Sequence, residues 1–241
     1  MTAKGVMLAL ETSRREQSVA LRLSENEILV ERVETSDRDR DDLMPAIDRL
    51  CHRSKIGPGQ IEVVALNQGP GGFTGLRIAH ATAQAMSFAL GCRLVQVNAA
   101  AAAAEASRLA GTLPVDAACW VALACKGLEA WSARVSADRG APPTEMRSRE
   151  ACEWEPGDVQ YLIADPHLPP SWHDRAVHHR ISIVPLAVTA EAVARIAQRL
   201  LLQGVVVPPD AALPLYPREA EAVRLWRQRK ADCTDGIRQK T

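Results

Sequence analysis

The sequence predicts an α/β protein of two lobes. Three observations lead there. The first 110 residues run strand, strand, strand, helix, strand, helix, strand, helix by hydrophobic pattern. The remaining residues, 111–241, offer further strands ahead of a helix, in a looser lobe punctuated by Pro142-Pro143, Pro169-Pro170 and Pro208-Pro209. The 241 residues are 47% hydrophobic, enough for one large or two modest cores. No repeat of fixed period is evident, although two α/β lobes suit an old duplication.

Val6–Thr12 is an apolar strand. Ser18–Leu23 alternates, and Ile28–Val33 follows the polar Ser24-Glu25-Asn26-Glu27 turn, so the three form an antiparallel meander. A charged segment, Asp37 to Asp42, leads into a helix whose Leu43, Ile47, Leu50 and Cys51 keep helical spacing, with Pro45 early enough to be tolerated. Ile61–Leu66 is continuously apolar, as in a strand covered on both faces. A glycine-rich turn follows, then a helix over Thr74–Leu90, a strand at Leu94–Val97 and an alanine-rich helix at Ala99–Leu109. The second lobe has strand candidates at Ala118–Ala124, Glu129–Val135, Val159–Ala164 and Ile181–Val184, with helices over Thr189–Leu202 and Arg218–Lys230.

Lys plus Arg and Asp plus Glu both number 29, so no net charge draws the chain to nucleic acid or acidic membranes. The six cysteines (51, 92, 119, 125, 152 and 233) form no C-x-x-C pair and no zinc spacing; they read as reduced, small apolar residues of a cytoplasmic protein. Val6–Leu10 is too short for a signal peptide, and Ile78–Cys92 is too short and too polar for a membrane span. His173, His178 and His179 fall in a polar stretch near Arg175 and Arg180 and read as solvated loop residues. No G-x-S-x-G elbow fixes a nucleophile, and no catalytic or metal-binding residue is assigned.

The informative stretch is NQGPGGFTGLRIAHATAQAMSFALG, residues 67–91. Glycines between a buried strand and a helix permit positive φ or close backbone approach. A helix N-terminus there could hold phosphate. Yet no Lys follows as in a P-loop, and the dinucleotide pattern fails at Thr74. Gly71 and Gly72, with Glu11, Thr12 and Ser13, therefore mark either a nucleotide turn or a tight structural one.

GPGGFTGLRI resembles the GPGSFTGLRIG signature of the TsaB family (YeaZ-like, within the glycoprotease M22-like superfamily). LALETS with SVAL, LMPAIDRL and AALPLYPREAE resemble other parts of that family in the right order. The resemblance implies the actin-like ATPase fold (ASKHA, ribonuclease H-like), two lobes of mixed sheet with flanking helices. It implies a non-catalytic subunit that pairs with TsaD, the paralogue that places threonylcarbamoyl on the tRNA adenosine beside the anticodon. A TsaE-like ATPase would join that pair, and tRNA would be met through the complex. No cofactor is expected on the chain alone, with ATP or ADP possible only in the complex. The interface would comprise Leu43, Ile47 and Leu50 on one helix, and Phe73, Thr74, Arg77, His80, Ala81, Gln84 and Ala85 on the next.

On that second helix Leu76, Ala79, Ala83, Met86 and Leu90 form a core stripe, while Arg77, His80, Gln84 and Ser87 form another, which faces water in a monomer and which the resemblance makes a partner surface. The chain departs from the family at Glu11 (usually Asp), at Asp39 (usually His) and at Ala124-Cys125-Lys126 (usually Asp-Ala-Arg). Arg14, Arg15 and Glu16 crowd the turn after Glu11. Two other readings are an actin-like ATPase, kinase or glycoprotease-like hydrolase, and a homodimeric interaction module.

Overall fold

The computed structural model describes residues 5–34 and 42–217. The expectations at Asp39, at Cys233 and for a helix over Arg218–Lys230 lie outside these residues.

The first sheet contains β1 (Val6–Glu11), β2 (Gln17–Arg22), β3 (Ile28–Val33), β4 (Ile61–Gly69) and β5 (Arg93–Asn98), in the order β3-β2-β1-β4-β5. β1, β2 and β3 are antiparallel; β4 and β5 run parallel to β1. The second contains β6 (Cys119–Ala124), β7 (Glu129–Val135), β8 (Thr144–Glu150), β9 (Tyr161–Ala164) and β10 (Ser182–Pro185), in the order β10-β9-β6-β7-β8. Its pairings repeat the pattern, with β9 and β10 parallel to the β6 side of an antiparallel meander. The two sheets thus share one topology, and β8 stands where β3 stands.

The helices follow the same plan. α1 (Leu43–Ser54) and α2 (Phe73–Leu90) cover the outer face of the first sheet, α4 (Pro170–His178) that of the second. α3 (Ala99–Leu109) and α5 (Ala190–Leu202) lie between the sheets. One core joins Ala9, Ala65 and Val97 of the first sheet to Val121, Trp131 and Ile163 of the second through the alanines of α3 and Val193, Ala194 and Ala197 of α5. Six consecutive alanines in α3 have the small volume that lets two sheets close on one helical layer. α5 follows the second sheet in sequence, yet it packs on β1, β2 and β5. A third core stacks Trp154 on Trp172, ring centroids 5.3 Å apart, beneath the second sheet.

Two elements differ from the sequence reading. Thr144–Glu150 is strand although TEMRSRE shows no apolar alternation, because it is an edge whose side chains are mostly exposed. Pro170–His178 is helix, started by Pro170 and anchored by the buried Trp172 and Ala176 one turn apart, so His173 and His178 are helical rather than in a loop. No helix among the described residues is long and apolar enough to cross a membrane.

Candidate functional site: a helical groove beside a stitched turn

β1 and β4 run parallel with Leu10 beside Leu66, so their ends bring Glu11 next to Asn67. Glu11 is fully buried. Its Oε1 accepts from Ser13 N at 2.8 Å and Ser13 Oγ at 2.5 Å, and its Oε2 accepts from Asn67 Nδ2 at 2.6 Å. Burial pushes the carboxyl above its ordinary value, against the pull of these hydrogen bonds. Asn67 Oδ1 accepts from Gly69 N at 2.8 Å, so the network also shapes the glycine turn.

That turn is stitched to the β1–β2 turn. Gly72 N donates to Ser13 O at 2.8 Å, and Thr12 Oγ1 donates to Gly75 O at 2.7 Å. A Cβ on Gly71 would stand 2.5 Å from Ser13 Cβ. Here the glycines permit close backbone approach to Ser13. Glu11, Thr12, Ser13, Gly71 and Gly72 thus come together as expected, while Asn67 carried no assigned role. Its place at the head of the glycine motif was the available signal.

Facing them across the lobes is Asp165, just past β9. It occupies the position of Asn67 in the other sheet, each one residue beyond a parallel pair, Ala122 with Ala164 and Leu10 with Leu66. Arg14 Nη1 donates to Asp165 Oδ2 at 2.8 Å, His167 N donates to Oδ1 at 3.0 Å, and Ala124 N lies 3.4 Å from Oδ2. Burial alone would raise the Asp165 carboxyl; the Arg14 guanidinium and the two backbone donors outweigh it and hold it below the usual range. Nothing in the sequence pointed to Asp165. Among the described residues no three His, Cys, Asp or Glu side chains are grouped to hold a metal ion.

The larger feature is an apolar groove of about 970 Å³ between α1 and α2. Met44, Ile47, Ile56, Ala81, Ala85 and Met86 line it, with Asp48, His52 and Lys55 at its margin. Ala81 and Ala85 are exposed, as are Thr74, Arg77 and the Met44 and Phe73 side chains. Of the other residues expected to face a partner, Leu43, Leu50, His80 and Gln84 do not line the groove. Leu43 and Leu50 are fully buried and Ile47 nearly so, because α1 turns them onto the first sheet. Leu90, expected in the core, is instead partly exposed at the groove's end.

The second stripe of α2 is covered by the chain itself. The segment after α5 returns along β5, where Val207 N donates to Leu94 O at 2.9 Å. Gln84 Nε2 donates to Pro209 O at 2.8 Å and Ala212 O at 3.1 Å. Gln96 Nε2 donates to Leu213 O at 2.9 Å and lies 2.9 Å from His80 Nε2. His80 is buried, its Nδ1 donating to Leu76 O at 2.7 Å, and burial lowers its pKa. Ser87 Oγ donates to Cys92 O at 2.7 Å. The strap ends at Tyr216, whose ring lies 5.4 Å from that of Phe73 and whose hydroxyl accepts from Arg77 Nε at 3.2 Å. Phe73 and Arg77 thus meet the strap at Tyr216, whereas Ala81 and Ala85 line the groove and Phe88 is exposed.

A family model for TsaD, tRNA N6-adenosine threonylcarbamoyltransferase, matches residues 33–123, which contain both groove helices. The tRNA threonylcarbamoyladenosine biosynthesis protein TsaB of Haemophilus influenzae is 31% identical over 102 residues, 42% of this chain and 42% of that protein. The match therefore spans less than half the length of this curated relative. YeaZ from Pseudomonas aeruginosa shares the fold, with a TM-score of 0.71 at 22% identity over 88% of this chain and 100% of that one. A second Pseudomonas aeruginosa structure, of a protein described by its similarity to peptidase YEAZ, gives 0.70 at 22% identity over 89% and 100%.

The chain is TsaB/YeaZ-like. Its two mixed sheets with flanking helices form the two-lobed α/β fold shared with the YeaZ structures.

Proposed function

We propose that this TsaB/YeaZ-like chain serves tRNA threonylcarbamoyladenosine biosynthesis as a non-catalytic subunit that docks on a TsaD-like paralogue through the α1–α2 groove. The groove carries the reading. It is apolar, lies on the two helices inside the stretch matched by the TsaD-family model, and is floored by alanines that admit close helix packing. The non-catalytic role is supported by Glu11, whose carboxylate oxygens are engaged by Ser13 and Asn67 inside the fold. A net charge of zero supports a subunit that meets tRNA, and a TsaE-like ATPase, through the complex in the cytoplasm.

The test is binding of the full chain to the TsaD homologue of the same organism, measured by calorimetry and size exclusion. The expected result is a one-to-one complex that Ala85→Arg weakens by tens- to hundreds-fold, through overpacking and charge burial. Absence of a complex overturns the pairing. A complex untouched by Ala85→Arg overturns the groove as its site. A stable dimer of the chain alone that excludes the homologue would favour the homodimeric reading.

A further inference from the structure

The actin-like arrangement implies a nucleotide in the cleft between lobes, bounded here by the β1–β2 turn, the glycine turn and the ends of β6 and β9. Arg14 Nη2 is buried there without a partner among the described residues, but the carboxylates and Gly72 N beside it are already engaged within the fold. What remains of the cleft is a cavity of about 250 Å³, lined by Arg14, Gly71, Gly72, Ala124, Cys125 and Asp165 among others. That is below the roughly 300 Å³ at which small-molecule pockets begin. Glu11 is fully buried with both oxygens bonded to Ser13 and Asn67, so it does not face a cation in the cleft. Gly72 N, at the head of α2, is already given to Ser13 O. Asp165 has both oxygens engaged, one by Arg14 and one by His167 N.

We infer that Arg14 is the resident occupant of this cleft, its guanidinium bridging the first-lobe turn to Asp165 and holding the cleft closed without nucleotide. The bridge spans 151 positions of sequence, and the Asp165 side chain is only 5% exposed, so solvent screens the pair from one side alone. The turn that carries Arg14 also carries Ser13, whose carbonyl holds Gly72 at the start of α2. Through that short path the clasp fixes the head of the groove helix against the second lobe. The end of α2 is thus presented in one position whether or not nucleotide is in solution. This inference stands on the cleft geometry and does not depend on the identity of the groove's partner.

The experiment is amide hydrogen exchange on the full chain, alone and with Mg·ADP or Mg·ATP at about 1 mM. For the unmodified chain neither nucleotide should alter exchange or melting temperature. In Arg14→Ala, the amides of Gly72 in one lobe and of Ala124 and His167 in the other should all exchange about tenfold faster or more, and Arg14→Lys should restore most of the protection. Protection of these amides by nucleotide in the unmodified chain overturns the inference. So does an effect of Arg14→Ala confined to residues 12–16, which would make the ion pair local. Should Arg14→Ala not fold, the nucleotide titration and the Arg14→Lys exchange pattern decide the matter.

Discussion

The carbonyl oxygen of Thr12 occupies the space that a side chain on Gly75 would need, while the Thr12 hydroxyl donates to the Gly75 carbonyl at 2.7 Å. Both groups on the Thr12 side belong to a turn fixed by the Glu11 network, so neither can retreat. Gly75→Ala should cost about 3 kcal/mol, since the clash is with backbone and not with a side-chain end. Gly91→Ala is the contrast. Gly91 caps α2 at φ +70 with open space around it, so only backbone strain applies, on the order of 1 kcal/mol. Urea denaturation of both variants checks the ranking.

Glu11 gives a pH signature whose sign follows from burial. Its folded pKa lies above the ordinary 4.5, because desolvation outweighs the hydrogen bonds from Ser13 and Asn67. The folded state therefore holds this proton more tightly than the unfolded chain does. Its stabilising contribution is complete below 4.5 and is lost as pH rises through the raised value. Glu11→Gln lacks that loss. Relative to the unmodified chain, the variant should gain stability as pH rises from 4.5 through the raised value, read by parallel urea titrations. A gap moving the other way would mean that the hydrogen bonds, and not burial, dominate this carboxyl.

Glu105 has the opposite sign. It is fully buried on α3 and accepts from Arg139 and from Arg199 of α5, the latter at 3.0 Å. Burial pushes its carboxyl up, and the two guanidinium groups more than reverse this. Its contribution is present above the unfolded value of 4.5 and lost as pH falls through the lowered one. Glu105→Gln should cost about 2 kcal/mol at neutral pH, less than a fully buried pair because both arginines are nearly three-tenths exposed. The cost should shrink in acid. Denaturation at neutral and acid pH tests both statements.

The strands of both sheets with apolar cores were legible from pattern, because a strand covered on both faces has little choice of residue. β8 was not, since an edge strand carries its hydrogen bonds on one side and its side chains in water. The glycine turn was legible as a turn, but its purpose was not: whether glycine admits a phosphate or a neighbouring backbone depends on what lies opposite, and here that is Ser13. The second stripe of α2 shows the same limit more sharply. Arg77, His80, Gln84 and Ser87 share one periodicity, yet Gln84 bonds a strap more than 120 residues away in sequence and His80 meets Gln96, which holds the same strap. Helical spacing identifies a face, and only the fold says what covers it.

Ala81 and Gln84 lie on adjacent faces of α2, and they separate the groove from the strap. Ala81 is exposed at the groove, whereas Gln84 is half-buried with its amide clamping two strap carbonyls. Ala81→Arg adds bulk and charge where nothing of this chain lies, so monomer stability should change by less than about 0.5 kcal/mol. If the groove receives the TsaD-like paralogue, the same variant should weaken that complex by tens- to hundreds-fold. Gln84→Ala removes two hydrogen bonds across the strap and leaves the carbonyls of Pro209 and Ala212 without this donor, a cost of about 1–2 kcal/mol. Hydrogen exchange should then quicken at the amides of Val207 and Leu215, which hold the strap to Leu94 and Gln68. Its effect on pairing should be small, because Gln84 faces away from the groove. Should Gln84→Ala abolish pairing while Ala81→Arg leaves it intact, the docking surface is the strap side of α2, and the groove is a feature of the free subunit alone.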